Sequence, residues 1–231
     1  MIGIIGAMEQ EVSALKEMMT VVRTDRKARM DFTVGQLLGK EVVVVRSGVG
    51  KVNAAVCTQI LADDYKVSAV INTGVAGSLN PKIDIGDIVV SVDAVQHDVN
   101  AVVFGYEPGE VPQMKKRTFD ADPDLRRLIA DTCRRVNPDI HVYDGRVASG
   151  DQFVSDDDRK AEIARVFEAD CTEMEGCAIA QAAWLNRIPF VIIRAISDKA
   201  DGSAQMDYDE FEAGAIAHTV RLLEAVIPEI K

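Results

Sequence analysis

The chain has 231 residues, 48% of them hydrophobic, which is enough to bury a sizeable core and to form a single domain over residues 1–231. Its 26 Lys and Arg face 37 Asp and Glu, and the resulting net charge of −11 repels phosphate backbones and anionic lipid surfaces. Composition therefore argues against nucleic acid or a membrane as a partner.

Met1 to Ala7 is strand-like, and Met8, Val12, Leu15 and Met19 then recur at spacings of four, three and four, one face of a helix. The segment "MIGIIGAMEQE" has no basic region and turns acidic at Glu9, unlike a secretory signal. Nor does any uncharged apolar run approach the roughly 20 residues that cross a bilayer, so a cytoplasmic protein is expected. "DFTVGQL" and "EVVVVRS", joined across Leu38-Gly39-Lys40, read as a hairpin, and Val52, Val56 and Ile60 mark the next helix. "SAVINTG" and "GDIVVSVDAV" are strands, and residues 97 to 121 read as one long loop of the kind that is usually functional or mobile. Asp122-Pro123 is an N-cap followed by proline at the first helical position. "HVYDGRVAS" is a strand and "RKAEIARVF" a helix. "ADCTEM" leads into the helix "EGCAIAQAAWLN", Pro189 restarts the chain as the buried strand "FVIIRAI", and a last helix runs from about Asp207 to Ile227. This alternation predicts an α/β fold in which helices cover both faces of a mixed sheet.

In such sheets chemistry gathers where strands end and helices begin. The junctions are "GAMEQE", "SGVGK", "NTGVAGS", "SGDQF", "TEMEG" and "AISDKA". "SGVGK" and "GIIGAM" both fail the glycine spacing of nucleotide-phosphate loops. Gly48, Gly50, Gly74 and Gly77 then serve either tight turns or the close approach of a neutral ligand. No nucleophile-elbow, zinc-protease or EF-hand pattern occurs, His97, His141 and His218 are scattered, and Cys57, Cys133, Cys171 and Cys177 read as reduced core residues. Neither a metal nor a cofactor is expected.

Carboxylates remain. Glu11 sits in the first turn of a helix, where the macrodipole favours an acid whatever its job. Glu175 either faces a ligand or completes the capping box Thr172-x-x-Glu175. Asp198 closes the run "FVIIRAIS", with an ion pair to Arg194 as the structural alternative. Three acids at separate strand ends suit acid and base work divided among carboxylates, as in the cleavage of a glycosidic bond.

The stretches "IGIIGAMEQE", "SGVGKVNAA", "INTGVAGS", "GDIVVS", "HDVNAVVFGY", "SGDQFV", "EMEG" and "IIRAISDKAD" together resemble the 5′-methylthioadenosine/S-adenosylhomocysteine nucleosidases of the purine nucleoside phosphorylase-like superfamily. The resemblance implies a three-layer α/β/α sandwich with a twisted mixed central sheet, a homodimer, and hydrolysis of the N-glycosidic bond of an adenine nucleoside. By resemblance, Asp198 is the general acid at adenine N7, Glu11 activates the attacking water with help from Arg194, and Glu175 accepts hydrogen bonds from the ribose while Met174 packs against it. Glu173 is a supporting neighbour. Phe153 matches the residue stacked on adenine, and Val154 the one whose backbone bonds the adenine edge. Ser197 sits beside the acid, and Ala76 and Gly77 line the base pocket. Met8, Val49 and Tyr208 match positions around the ribose and the 5′ substituent, and Phe104 and Pro112 match loop residues that reach the partner subunit's pocket. The chain departs from the family at Val75, Ser78 and Tyr208, where serine, glycine and phenylalanine are common. An aminodeoxyfutalosine hydrolase, a phosphate-requiring nucleoside phosphorylase and a nucleoside sensor without turnover are the competing readings.

Overall fold

The computed structural model describes residues 1–230, with every side chain except those of Met206, Asp209 and Glu210. β1 (Ile2–Gly6) lies between β4 (Lys40–Arg46) and β5 (Ala69–Ser78) and runs parallel to both. β3 (Met30–Leu37) returns antiparallel to β4 through the expected hairpin, and β2 (Thr20–Lys27) pairs with β3 at the outer edge. On the other side of β5, the strands β10 (Phe190–Asp198), β6 (Ile88–Gln96), β8 (Val142–Ser149) and β9 (Cys171–Glu173) follow in turn, and β9 pairs back onto β5. Half of the mixed sheet thus closes into a five-strand circuit, which gathers the ends of β5, β9 and β10 at one place.

Alternation along the central strands builds the layers. Ile5, Val43 and Val45 face one core with α2 (Lys51–Asp64) and α5 (Gly176–Leu185), while Ile2, Ile4, Val42 and Val44 face another with α1 (Glu9–Met18), α3 (Pro123–Val136) and α6 (Ala204–Val226). α4 (Asp157–Phe167) covers a third, smaller cluster with Ile163 and Phe167. The four cysteines are free and buried, as the composition suggested. Among the described residues no helix is long and apolar enough to cross a membrane.

Four sequence expectations need correction. β2 was not expected: its residues are largely exposed and charged, as befits a protected edge strand. In α2 the stripe Val52, Val56 and Ile60 is not the buried face, although Ile60 packs partly against the core. Val52 is 74% exposed and Val56 39%, whereas Ala54, Cys57, Thr58 and Leu61 are buried, and the small side chains of Ala54 and Cys57 let α2 approach α5 closely. The segment 97 to 121 is not one open loop: it holds a short 3-10 turn at Val102–Phe104 and ends in β7 (Thr118–Asp120), which pairs with β6. The last helix starts at Ala204, three residues early. The Asp122 cap is as expected, its Oδ1 accepting hydrogen bonds from the N–H groups of Asp124 and Leu125.

Candidate active site

The carboxyl ends of β1, β5 and β10 and the β9–α5 junction enclose a cavity of about 250 Å³. Glu11, Glu175 and Asp198 all line it, although they lie far apart in the sequence. Met8, Val49 and Tyr208 form one part of the wall, Ala76, Gly77, Phe153 and Ser197 another, and Glu173 and Met174 border it beside Glu175. Val154 belongs to an annex of about 30 Å³ that shares Gly77, Phe153 and Asp198 with the main cavity. Arg194 is buried outside the lining, and neither Phe104, which is 80% exposed, nor Pro112 lines the cavity of its own chain. None of the three histidines lines it either.

Glu11 reaches the cavity from the first turn of α1. Its Oε2 accepts hydrogen bonds from the N–H groups of Ala7 at 2.6 Å and Met8 at 2.9 Å, and its Oε1 accepts a weaker one from Val75 N–H at 3.2 Å. One oxygen therefore fixes the side chain while the other keeps acceptor capacity. Burial pushes the Glu11 carboxyl above its ordinary pKa in spite of these donors and of Arg194 nearby. The close fit requires Gly74: a Cβ there would stand 2.6 Å from Oε1.

Asp198 ends β10 just past an irregularity in the register, where Ile196 pairs with Ala76 but Asp198 pairs with Gly77, leaving Ser197 as the extra residue. A bulge of this kind re-aims the side chain that follows it. Asp198 Oδ2 accepts from the Ser197 hydroxyl at 2.9 Å and Oδ1 from Ala200 N–H at 2.8 Å. Burial nonetheless raises its pKa. The Asp198–Arg194 ion pair offered as a structural alternative is not formed. Arg194 Nη2 instead donates to Glu173 Oε2 and Asn72 Oδ1, both at 2.5 Å.

The capping box at Glu175 is also absent, because α5 begins one residue after it. The acid at the head of that helix is Glu173, whose Oε2 accepts from the N–H groups of Glu175 at 3.1 Å and Gly176 at 2.7 Å, while its Oε1 accepts from the Ser149 hydroxyl. Burial would raise the Glu173 pKa, but the Arg194 charge and these donors outweigh it and hold the group below its ordinary value. Glu175 is left facing the cavity with one donor among the described residues, the N–H of Gly50 at 2.7 Å. Burial, and then the charge of Glu173, push its pKa up to about 8.

The sequence signals for "SGVGK" and "NTGVAGS" were partly readable. Gly48 and Gly50 have φ of 83° and 98°, so tight turning explains both, and Gly50 also supplies the donor to Glu175. Gly74 and Gly77 have no such backbone; they make room for Glu11 and Asp198. Of the departures, Val75 lines the cavity, while Ser78 turns its hydroxyl to Asn80 O at 2.8 Å and Ile83 O at 3.1 Å. The Tyr208 hydroxyl donates to Glu212 Oε1 at 2.6 Å and lies 3.3 Å from Met8 Sδ. Thr172 also lines the cavity and was read only as a capping residue.

The pattern of the phosphorylase superfamily matches residues 1–228. A 5′-methylthioadenosine/S-adenosylhomocysteine nucleosidase of Bacillus thuringiensis subsp. konkukian (strain 97-27) is 42% identical over 231 residues, all of this chain and 99% of that protein. The crystal structure of the nucleosidase of that name from Neisseria meningitidis, in complex with methylthio-immucillin-A, matches with a TM-score of 0.94 at 39% identity over 99% of each chain. Futalosine hydrolase of Helicobacter pylori strain 26695 matches with a TM-score of 0.93 at 31% identity, over 99% of this chain and 97% of that one.

Proposed function

The chain belongs to the phosphorylase superfamily and, within it, to the 5′-methylthioadenosine/S-adenosylhomocysteine nucleosidases, and from that premise we propose how its cavity works. The enzyme hydrolyses the N-glycosidic bond, converting 5′-methylthioadenosine and water to adenine and 5-methylthioribose, and S-adenosylhomocysteine and water to adenine and S-ribosylhomocysteine. The observation that carries this reading is the pair of buried carboxyls, Asp198 and Glu11, that enter one cavity from different strand ends, each with its pKa raised by burial.

Asp198, whose protonated form is favoured by burial, delivers its proton to N7 of the purine. The C1′–N9 bond breaks with its electron pair passing to the base, which departs as neutral adenine and leaves an oxocarbenium-like sugar. A water at the free lone pair of Glu11 Oε1 attacks C1′ and gives up its proton to that carboxylate. Glu175 accepts from the ribose hydroxyls, and these new donors draw its carboxyl back toward the ionised form. Phe153 stacks on the base, the Val154 backbone meets its edge, Ala76 and Gly77 lie against it, and Ser197 steadies Asp198. Met174 packs on the sugar, and Met8, Val49 and Tyr208 take the 5′ substituent. Arg194 and Glu173 act from behind, as a paired support for the charges in front of them.

The working form is a homodimer of single-domain subunits. The outward valines of α2 and the segment Val102, Val103 and Phe104 are exposed apolar surface, and the contact of Lys51 Nζ with Asp98 Oδ1 at 2.6 Å ties the head of that helix to the start of the loop. Phe104 and Pro112 then close the partner's cavity. The fold is shared with futalosine hydrolase, so the 5′ substituent has to be read from rates. Adenine release in phosphate-free buffer is expected to be faster from 5′-methylthioadenosine and S-adenosylhomocysteine than from aminodeoxyfutalosine. Release only with added phosphate, release only from aminodeoxyfutalosine, or binding with no release would each overturn the proposal.

A further inference from the structure

Thr172 is a buried residue with no structural use for its hydroxyl. β9 sets it between Gly77 of β5, which has no side chain to cover it, and Ala148 of β8, whose methyl group offers no polar partner, and it borders both the main cavity and the annex. The residue is 5% exposed, and its Oγ1 is inaccessible and without a hydrogen-bond partner among the described residues. Neighbouring hydroxyls are all engaged: Ser149 with Glu173 and Cys177 N–H, Ser197 with Asp198, and Ser78 with two carbonyls. Valine has the same shape and strand preference and would leave nothing unpaired here. Buried polar groups are paired with few exceptions, and an exception on a cavity wall points to a ligand.

We infer that the Thr172 hydroxyl, turned about χ1 toward the cavity its residue borders, donates a hydrogen bond to N3 of the bound adenine, making it a specificity-determining residue for the base. The inference rests on the reading of the cavity given above. Adenine has three ring acceptors, N1, N3 and N7. Asp198 serves N7 and the Val154 backbone serves the edge that carries N1, which leaves N3 on the side of the ring next to the sugar. Thr172 has the matching position. It shares the annex with Phe153 and Val154 at the base end, and stands two and three residues before Met174 and Glu175 at the sugar end.

Titration calorimetry with adenine and with 3-deazaadenine, on the wild type and on Thr172→Val, tests this without depending on turnover. The valine variant is expected to bind adenine about 3- to 10-fold more weakly while binding 3-deazaadenine as the wild type does, the loss of one neutral hydrogen bond. Thr172→Ser restores the preference, and the thermal stability of Thr172→Val stays at or above that of the wild type, because an unpaired hydroxyl is removed. Equal weakening of both ligands, or no weakening of either, overturns the assignment to N3. If the wild type releases adenine from 5′-methylthioadenosine and the two bases are still not distinguished, this inference alone fails. If it neither binds adenine nor releases it, the reading of the cavity fails with it.

Discussion

Gly74→Ala isolates the position of the Glu11 carboxylate from everything else in the site. Gly74 is not among the residues with positive φ, so alanine brings no backbone strain, and the whole effect comes from one methyl group. That methyl would stand 2.6 Å from Glu11 Oε1, 3.2 Å from its Cδ and 3.3 Å from Arg194 Nη1, so the carboxylate has to give way by about 0.8 Å to reach ordinary contact at 3.4 Å. It cannot pivot freely, because Oε2 is held at 2.6 Å by Ala7 N–H, and the 3.2 Å contact with Val75 N–H yields first. Overpacking of this kind costs about 1 to 3 kcal/mol of stability. A catalytic group displaced by about 1 Å loses on the order of 10²-fold in rate. The variant should therefore fold, bind 5′-methylthioadenosine with little change in KM, and show kcat lowered about 100-fold in a continuous assay of adenine release. Pairing it with Glu11→Asp, which shortens the side chain by one methylene, should recover part of that loss. A Gly74→Ala enzyme with kcat within about twofold of wild type would show that the seat of this carboxylate does not matter, and Glu11 would cease to be the base.

In the proposed mechanism Asp198 donates only while protonated and Glu11 accepts only while ionised, and burial raises both pKa values, so kcat/KM should fall at high pH through the first group and at low pH through the second. Asp198→Asn should cost about 10²- to 10⁴-fold and abolish the alkaline limb; a pH–rate profile that keeps that limb would reassign the acid. Glu175 has a folded-state pKa of about 8 against 4.5 for the ordinary group, so the folded chain keeps a proton that the unfolded chain has released, and stability falls as pH rises across that window. Glu175→Gln should flatten the dependence of Tm on pH there and raise Tm at the upper end while weakening nucleoside binding, and a Tm profile as steep as that of wild type would contradict the burial argument. Val52→Asp with Val56→Asp should reduce a sedimenting dimer to single chains of about 25 kDa and slow turnover, whereas a monomeric wild type would sink the dimer proposal.

What the sequence made readable was local. The strands β1, β5 and β10 carry clusters of β-branched residues, α1 repeats at helical spacing, and Asp122-Pro123 marks a helix start by itself. Orientation was less accessible. In α2 the large valines point outward because Ala54 and Cys57, not bulk, suit the approach of α5, and no periodicity in one helix reveals its neighbour. The two glutamates of "TEMEG" are alike in sequence. Which one caps the helix and which faces the cavity is decided by Ser149 and Arg194, 24 and 21 residues away, and by Gly50, 125 residues away. The acids could be collected from strand ends, but the expectation that they meet around one ligand came only with the family resemblance, because neither the closure of the sheet nor the bulge before Asp198 leaves a mark on hydrophobic pattern.

The distribution of one positive charge explains how three glutamates share this site without becoming equivalent. Arg194 is fully buried and its guanidinium has few directions in which to act: Nη1 donates to Ile193 O at 2.9 Å, and Nη2 is committed to Asn72 and Glu173. Direct pairing holds Glu173 ionised, and that carboxylate spends its acceptors on Ser149 and the first turn of α5. Glu11 and Glu175 feel the same guanidinium only at longer range, which does not offset the loss of water around them, so both rise. Had the arginine paired with Asp198, as the sequence allowed, the proposed acid would have been held ionised at neutral pH and unable to protonate a base. Because Arg194 is committed to Glu173, the proposed acid is left to burial, which raises its pKa and favours the protonated form, and the proposed base, with unused acceptor capacity, lines the same cavity.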